Sequence, residues 1–234
     1  MRILTRTLLP AALLLWPLAA FAAEPVKHIG VYVTPFYEAA RTPDGSPQVG
    51  VGRQFNDLLA SNRREDILAA RDIVVAKPQT VTPMTMMVLA IRFYDVGLRD
   101  DAVFWFYVAK DRYIVMSEVL NTKTQLLAQA DDAVRSFSTL AGPFINGYAF
   151  CDLTKQKEAH AKALAWVEAN PYTVMFMDRA PALPGDRAEN HKRALANAKE
   201  RLIKENAYFD DAKNRAEFIA TRQRNDTDSK FCWK

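Results

Sequence analysis

The stretch from Thr82 to Ser117 constrains the fold more than any other part of the chain. Its second half carries six consecutive apolar or aromatic residues at 103–108. A helix that is apolar on every face has no side suited to water, so it belongs inside a bundle. We therefore expect the other elements to pack around a central helix that contains Trp105.

Local signals divide this stretch into two helices. Thr82 is a suitable N-cap, and Pro83 fits the first helical turn because its missing N–H would have no partner there. Gly97 marks the end of the first helix, where a left-handed residue is favoured. Asp100 and Asp101 then place negative charge at the positive end of the second helix. The pattern predicts an antiparallel helical hairpin.

The core of this hairpin is predicted to include Tyr94, Gly97, Phe104 and Trp105. The methionines at 84, 86 and 87 can be interpreted as a soft-metal site or as core packing. Their helical spacing beside other apolar residues favours packing, so we predict no metal there.

Residues 1–22 have the pattern of a secretory signal peptide: a basic start, a short apolar run and Ala20-Phe21-Ala22 at the end. The apolar run is shorter than the roughly 20 residues that a spanning helix needs. We expect cleavage near Ala22, a periplasmic or secreted mature protein, and no membrane span.

The charge of the mature chain is nearly balanced. The full chain has 31 basic and 27 acidic residues, and two of the basic ones, Arg2 and Arg6, belong to the signal peptide. A remaining net charge of about +2 gives no reason to propose nucleic acid as a partner.

Cys151 and Cys232 are the two cysteines of the chain. In an oxidising compartment an even pair favours a disulfide, and two buried thiols are the alternative. A bridge between them would tie the C-terminal residues back to the body.

The remaining pattern predicts a mainly α-helical fold of stacked antiparallel helical hairpins in a compact array. Alternation after His28, a turn signal at 43–45 and a second strand-like segment at 48–52 suggest a small N-terminal β-hairpin, with an extended arm as the alternative. We divide the mature chain into an α-helical body at 23–171 and a loop with C-terminal helices at 172–234. These helices are expected to pack on the body as part of one domain, and a break is expected near Asn206.

The central hairpin resembles one unit of a Sel1-like repeat, a relative of the tetratricopeptide repeat. The residues that carry the resemblance are Ala90, Tyr94, Gly97, Asp101-Ala102, Trp105-Phe106 and Ala109. It covers about residues 83–117 and implies close helix packing through small residues. Periplasmic proteins on such scaffolds include immunity proteins that neutralise type VI secretion effectors, so the resemblance implies a protein partner.

Residues 142–148, GPFINGY, are predicted to form a loop that ends the preceding helix near Ala141. Phe144, Ile145, Asn146 and Tyr148 are candidate binding residues there, because interface hot spots favour aromatic anchors. The alternative is that this loop folds inward and seals the body near Cys151.

Two arginines of the hairpin, Arg92 and Arg99, complete the candidate binding set. The alternative, which the spacing favours, is that they pair with carboxylates on the same helices.

No motif of the sequence identifies a reaction. Its three histidines lack metal-ligand spacing, and H-E-x-x-H, C-x-x-C, G-x-S-x-G and phosphate-cradling glycine loops are absent. We predict no catalytic residue, no metal and no cofactor. Four carboxylates, Asp95, Asp100, Asp101 and Glu118, could support acid–base chemistry, but the favoured explanation is helix capping and ion pairing with neighbouring basic residues.

Two function classes therefore remain. The first is a periplasmic protein-binding module, in its sharpest form an immunity protein that neutralises a secreted antibacterial effector. The second is a secreted hydrolase that acts on the cell wall or on lipid through carboxylates that the sequence does not identify.

Overall fold

The structure is a computed structural model that describes residues 26–35 and 48–232. Within these residues the chain forms two short strands and nine α-helices, which confirms the mainly α-helical fold class. The strands are β1 (Tyr32–Pro35) and β2 (Gln48–Val51). The helices are α1 (Arg53–Ala60), α2 (Arg64–Ala76), α3 (Pro83–Asp95), α4 (Arg99–Ser117), α5 (Gln125–Ala149), α6 (Leu153–Ala169), α7 (Arg187–Asp210), α8 (Ala212–Arg224) and α9 (Thr227–Phe231). Short 3₁₀ turns at Pro78–Thr80 and Thr173–Phe176 precede α3 and α7.

Three features expected from the sequence lie outside the described residues. They are the signal peptide at 1–22, its cleavage site near Ala22 and the turn at 43–45. Across the residues that are described, no helix is both long and apolar enough to cross a membrane.

The central hairpin consists of α3 and α4, as predicted. The hydroxyl of Thr82 caps α3 by accepting a hydrogen bond from the amide of Thr85 at 3.1 Å. At the other end Gly97 has a φ of +81°, and the amide of Leu98 donates to the carbonyl of Phe93 at 2.8 Å. This is the Schellman arrangement, which glycine adopts without strain. Gly97 itself is exposed at the turn and is not part of the core.

Helix α4 lies at the centre and packs against α3, α5, α6 and α7. Trp105 and Tyr107 lie on opposite faces of the helix, and each is 2% exposed. The ring of Trp105 meets the rings of Phe104 and Trp166 edge to face, with centroid distances of 5.3 Å in both cases. Tyr94 on α3 is fully buried, whereas Phe104 is half-buried. The central position that the apolar stretch predicts is therefore observed.

A buried cation joins α4 to the ends of two neighbouring segments. Arg112 is 1% exposed, and its guanidinium donates to the carbonyls of Pro78 at 2.6 Å, Val81 at 3.0 Å and Asn170 at 2.6 Å. Burial lowers the pKa of Arg112 to about 10, so the side chain stays charged at neutral pH. These bonds fix the segment before α3 and the end of α6 against the central helix.

The N-terminal strand pair is present, but the expected hairpin geometry is wrong. The strands β1 and β2 run parallel, with Val33 opposite Val49. A hairpin turn joins antiparallel strands, whereas parallel strands need a connection that returns to the same end of the sheet. Burial decides this pairing, because Val33, Val49 and Val51 all join the core.

The carboxylate of Asp95 further anchors the N-terminal segment by accepting a hydrogen bond from the amide of Ile29 at 2.7 Å.

The prediction of a loop at 142–148 is also wrong. These residues continue α5 without interruption, and Pro143 lies inside the helix. Ile145 is fully buried, and Gly147 lies so close to Phe231 that an added Cβ would be 2.7 Å from its ring. Tertiary packing on this face therefore outweighs the local preference of glycine and proline to end a helix.

The C-terminal helices pack on the body. Helix α7 lies against α4 and α6, and α9 lies against α5. The break that we expected near Asn206 occurs instead at Asp211, whose carboxylate caps α8 by accepting from the amide of Asn214 at 2.8 Å.

We predict that Trp105→Ala lowers the free energy of unfolding by about 3–5 kcal/mol, because it removes a buried aromatic side chain from the centre of the bundle. Chemical denaturation measures this loss. The matched control is Ile203→Ala at a position that is 66% exposed, where we expect a change within about 0.5 kcal/mol. An unchanged denaturation midpoint for Trp105→Ala would contradict the central position of this residue.

Candidate functional site: the cleft beside the disulfide

A cleft of about 760 Å³ opens between the first turns of α4, the end of α5 and the first half of α6. Its volume lies within the range of ordinary ligand sites. The side chains that give it chemical character are Asp100, Asp101, Phe104, Tyr148, Cys151, Asp152, Lys155, Gln156, Glu158, Lys162 and Cys232. Their four carboxylates and two ammonium groups give the lining a net charge of −2.

The start of α4 supplies one wall of the cleft. Because the Schellman turn ends α3 at a fixed point, α4 begins at Arg99 and presents Asp100 and Asp101 in its first turn. The hydroxyl of Tyr148 donates to Asp100 at 2.9 Å. Burial, together with this hydrogen bond, raises the pKa of Tyr148 to about 12, so the phenol keeps its proton at neutral pH.

The first half of α6 supplies the opposite wall and the floor. The carboxylate of Asp152 caps this helix by accepting from the amides of Thr154 at 3.0 Å and Lys155 at 3.1 Å. One helical turn after this cap Gln156 is 1% exposed and forms part of the floor. The exposed residues Glu158 and Lys162 lie at the rim.

The disulfide between Cys151 and Cys232 forms the end of the cleft, and its prediction from the sequence is confirmed. It joins residues separated by 81 positions and holds α9 against α5. On that surface the ring of Phe231 covers Gly147 and meets the ring of Phe144 edge to face.

A buried polar network lies beneath the floor. The amide nitrogen of Gln156 donates to the hydroxyl of Tyr107 at 3.0 Å and to the carboxylate of Glu205 at 2.8 Å. Tyr107 in turn donates to the side-chain carbonyl of Asn146 at 3.2 Å. Burial raises the pKa of Tyr107, which keeps this donor protonated. The network links α4, α5, α6 and α7 below the cleft.

His160 is the charged centre of this network. Its Nε2 lies 3.2 Å from a carboxylate oxygen of Asp111, and its Nδ1 lies 3.3 Å from one of Glu205. Its ring stacks on Tyr107 with a centroid distance of 4.3 Å. Burial alone would lower the pKa of His160, but the two carboxylates outweigh burial and raise it to about 9. An imidazolium that faces carboxylates on both sides has no nitrogen available to act as a base, so its role is to join helices.

The structure separates the residues of the predicted binding loop. Tyr148 lines the cleft, while Ile145 is fully buried. Phe144 packs between the rings of Tyr94 and Phe231, and Asn146 belongs to the network beneath the floor. The alternative that this segment folds inward near Cys151 therefore describes it better than an outward-facing loop.

The two candidate arginines lie in structural contacts. Arg92 forms a buried ion pair with Asp95 at 2.8 Å and donates to the carbonyl of Ser61 at 2.8 Å. The guanidinium of Arg99 lies over the ring of Tyr94 at 4.8 Å. Neither arginine lines the cleft.

The four carboxylates considered for acid–base chemistry do not converge on one point. Asp95 pairs with Arg92, and Glu118 accepts from Asn197 and Arg201 on α7. Asp100 and Asp101 alone among the four line the cleft. Within the described part of the chain, no group of three His, Cys, Asp or Glu side chains could hold a metal ion.

Sequence reasoning missed the contribution of α6 to this site. Asp152, which directly follows Cys151, is a recognisable N-cap residue before a helix. Gln156 and His160 share a helix face with the buried Ala163, Leu164 and Val167. Polar residues on an otherwise apolar face are a signal of a buried network, and this signal was present in the sequence.

Fold and site together define a class: a helical protein with a central hairpin and a cleft closed by a disulfide. No known family model matches this chain, and no solved structure matches it. The chain is 34% identical over 222 residues to a Haemophilus influenzae protein described as uncharacterized, an alignment that covers 95% of this chain and 85% of that protein. The chain therefore belongs to the same family as this Haemophilus protein.

We predict that stability depends on the protonation of His160. Its folded pKa of about 9 exceeds the ordinary value of 6.5. Between these values the folded protein retains a proton that the unfolded chain releases. The free energy of unfolding should therefore fall as pH rises from 6.5 to 9, by roughly 3 kcal/mol at most.

Denaturation curves at about pH 6, 7.5 and 9 measure this effect. The variant His160→Gln should be less stable than the wild type at pH 6. Its free energy of unfolding should also depend much less on pH. Equal slopes for the variant and the wild type would contradict the assignment of this proton to His160.

We further predict that the Cys151–Cys232 bridge contributes up to about 4 kcal/mol of stability, the chain-entropy value for a closed loop of this length. Peptide mapping of oxidised protein should recover one linked pair, and Cys151→Ser/Cys232→Ser should unfold at lower denaturant concentration. Added reductant should not lower the denaturation midpoint of this double variant any further. Recovery of both thiols in alkylated form without reductant would contradict the bridge.

Proposed function

We propose that this chain is an exported protein-binding module and that a partner protein contacts it at the cleft. The observation that carries the proposal is the cleft itself. It combines the rings of Phe104 and Tyr148 with charged side chains from α4 and α6, next to a disulfide. Aromatic anchors surrounded by charged residues are typical of interface hot spots.

The rigidity of the cleft supports binding. The disulfide holds one end, and the His160 network fixes α4, α6 and α7 relative to one another below the floor. A surface that is ordered before binding loses less conformational entropy when the complex forms. The net negative charge of the lining favours a partner whose contacting surface is positive.

The sharpest form of this proposal is an immunity protein that neutralises a secreted antibacterial effector. The signal-peptide pattern at 1–22 supports export to the periplasm, where such effectors act. The resemblance of the α3–α4 hairpin to a Sel1-like unit supports the same class by analogy.

A second candidate is a secreted hydrolase that acts on the cell wall or on lipid. Asp101 and Glu158 favour it, because both line the cleft and carboxylates can act as general acids and bases. Loss of hydrolysis in Asp101→Asn, with partner binding intact, would favour this candidate over the first.

The binding proposal predicts site-specific crosslinking. With a photo-crosslinking amino acid at Lys162, at the rim of the cleft, we expect one discrete adduct with a periplasmic protein. The same amino acid at the exposed Lys213 on α8 is the positional control and should give no such adduct.

The captured protein, once purified, should bind the wild type at least tenfold more tightly than Phe104→Ala, a difference of about 1.4 kcal/mol. Phe176→Ala, which changes an aromatic residue that is 41% exposed and does not line the cleft, should bind like the wild type. Equal affinity for Phe104→Ala and the wild type would show that the partner contacts another surface.

A further inference from the structure

We propose that the Cys151–Cys232 disulfide is a redox-active site, which exchanges with an external dithiol and uses Arg222 to stabilise the leaving thiolate. The class of reactant is a dithiol reductant such as the Cys-x-x-Cys site of a thiol–disulfide oxidoreductase. This inference stands apart from the proposed partner binding, since it depends on the surroundings of the two sulfur atoms.

The position of Arg222 is the first observation. This residue is 8% exposed, and its Nη2 atom lies 3.2 Å from the sulfur of Cys232 and 3.6 Å from the sulfur of Cys151. The same nitrogen donates to the carbonyl of Gly147 at 3.0 Å, which holds it in place. A guanidinium beside a sulfur atom stabilises a thiolate that forms there.

Access to the sulfur atoms is the second observation. Both cysteines line the cleft, and Cys151 is solvent-exposed while Cys232 is half-buried. An attacking thiolate that enters the cleft can therefore reach the sulfur of Cys151. The departing sulfur is then that of Cys232, which is the one closer to Arg222.

The reaction balances as an ordinary exchange. A thiolate of the dithiol attacks the sulfur of Cys151, a mixed disulfide forms, and Cys232 leaves as a thiolate beside Arg222. The second thiol of the reductant loses its proton and attacks the mixed disulfide, which releases Cys151. The dithiol is oxidised to a disulfide, and the protein disulfide gains two electrons. Cys151 takes up the proton that the second thiol released, and Cys232 remains a thiolate beside Arg222.

One counter-charge opposes Arg222. The carboxylate of Asp228, which is 61% exposed, accepts from Arg222 at 2.7 Å. Removing this carboxylate should strengthen the field of the guanidinium at the sulfur atoms, whereas removing the guanidinium should abolish it. The two substitutions therefore have opposite expected effects on reduction.

This opposition separates an electrostatic role from a structural one. Either substitution could loosen the contact of α9 with α5, and a loosened tail would make the disulfide easier to reduce in both variants. Only stabilisation of the leaving thiolate predicts a slower reaction in one variant and a faster reaction in the other.

The test uses the oxidised mature protein, dithiothreitol at pH 7, and alkylation of released thiols at timed intervals, read by mass spectrometry. We expect Arg222→Gln to slow reduction about tenfold and Arg222→Lys to recover most of the rate. Asp228→Asn should accelerate reduction, and Arg215→Gln, which removes an exposed arginine on the same helix, should leave the rate unchanged.

Equilibration in a buffer of oxidised and reduced dithiothreitol gives a second measurement. Arg222→Gln should shift the equilibrium about tenfold toward the disulfide, which corresponds to about 30 mV. The proposal would be overturned if Arg222→Gln were reduced as fast as the wild type or faster. It would also be overturned if Arg222→Gln and Asp228→Asn changed the reduction rate in the same direction.

Discussion

The buried guanidinium of Arg112 is the interaction on which the rest of the structure depends. Its three hydrogen bonds go to backbone carbonyls of Pro78, Val81 and Asn170, and its Cζ lies 5.1 Å from the ring centroid of Trp166. A buried charge without partners would cost several kcal/mol. The chain therefore has to bring these segments to α4, and this requirement fixes where α3 begins and α6 ends.

The same helix carries other buried polar groups that each select a neighbour. Asp111 faces His160 on α6, and Tyr107 reaches Asn146 on α5 as well as Gln156 on α6. Apolar packing around α4 supplies most of the stabilisation but little orientation, because it is non-directional. Hydrogen bonds and ion pairs add direction, so they set how each surrounding helix is placed against the central one.

The cleft follows from this arrangement. Its walls are the starts of two helices that the network below holds in position, and its end is a disulfide that fixes the C-terminal helix. An arginine therefore lies at each of two important sites. Arg112 organises the core, and Arg222 lies at the disulfide beside the cleft. The proposed binding surface and the proposed redox site share this end of the molecule, because Cys151 and Cys232 line the same cleft.

Sequence alone determined the features that depend on neighbouring residues or on composition. The cap at Thr82, the turn at Gly97 and the central helix around Trp105 follow from short-range patterns. The pairing of the two cysteines was predictable from their even number and from the compartment that the signal-peptide pattern predicts. At 142–148 the local signals gave a wrong prediction, because glycine and proline predict a loop where the chain is helical.

Only the tertiary structure decided that this segment stays helical, since burial of Ile145 and the contact of Gly147 with Phe231 come from distant parts of the chain. It likewise decided the parallel pairing of β1 with β2 and the meeting of Asp111, His160 and Glu205 on three helices. Such contacts join residues far apart in sequence, so no local pattern specifies them.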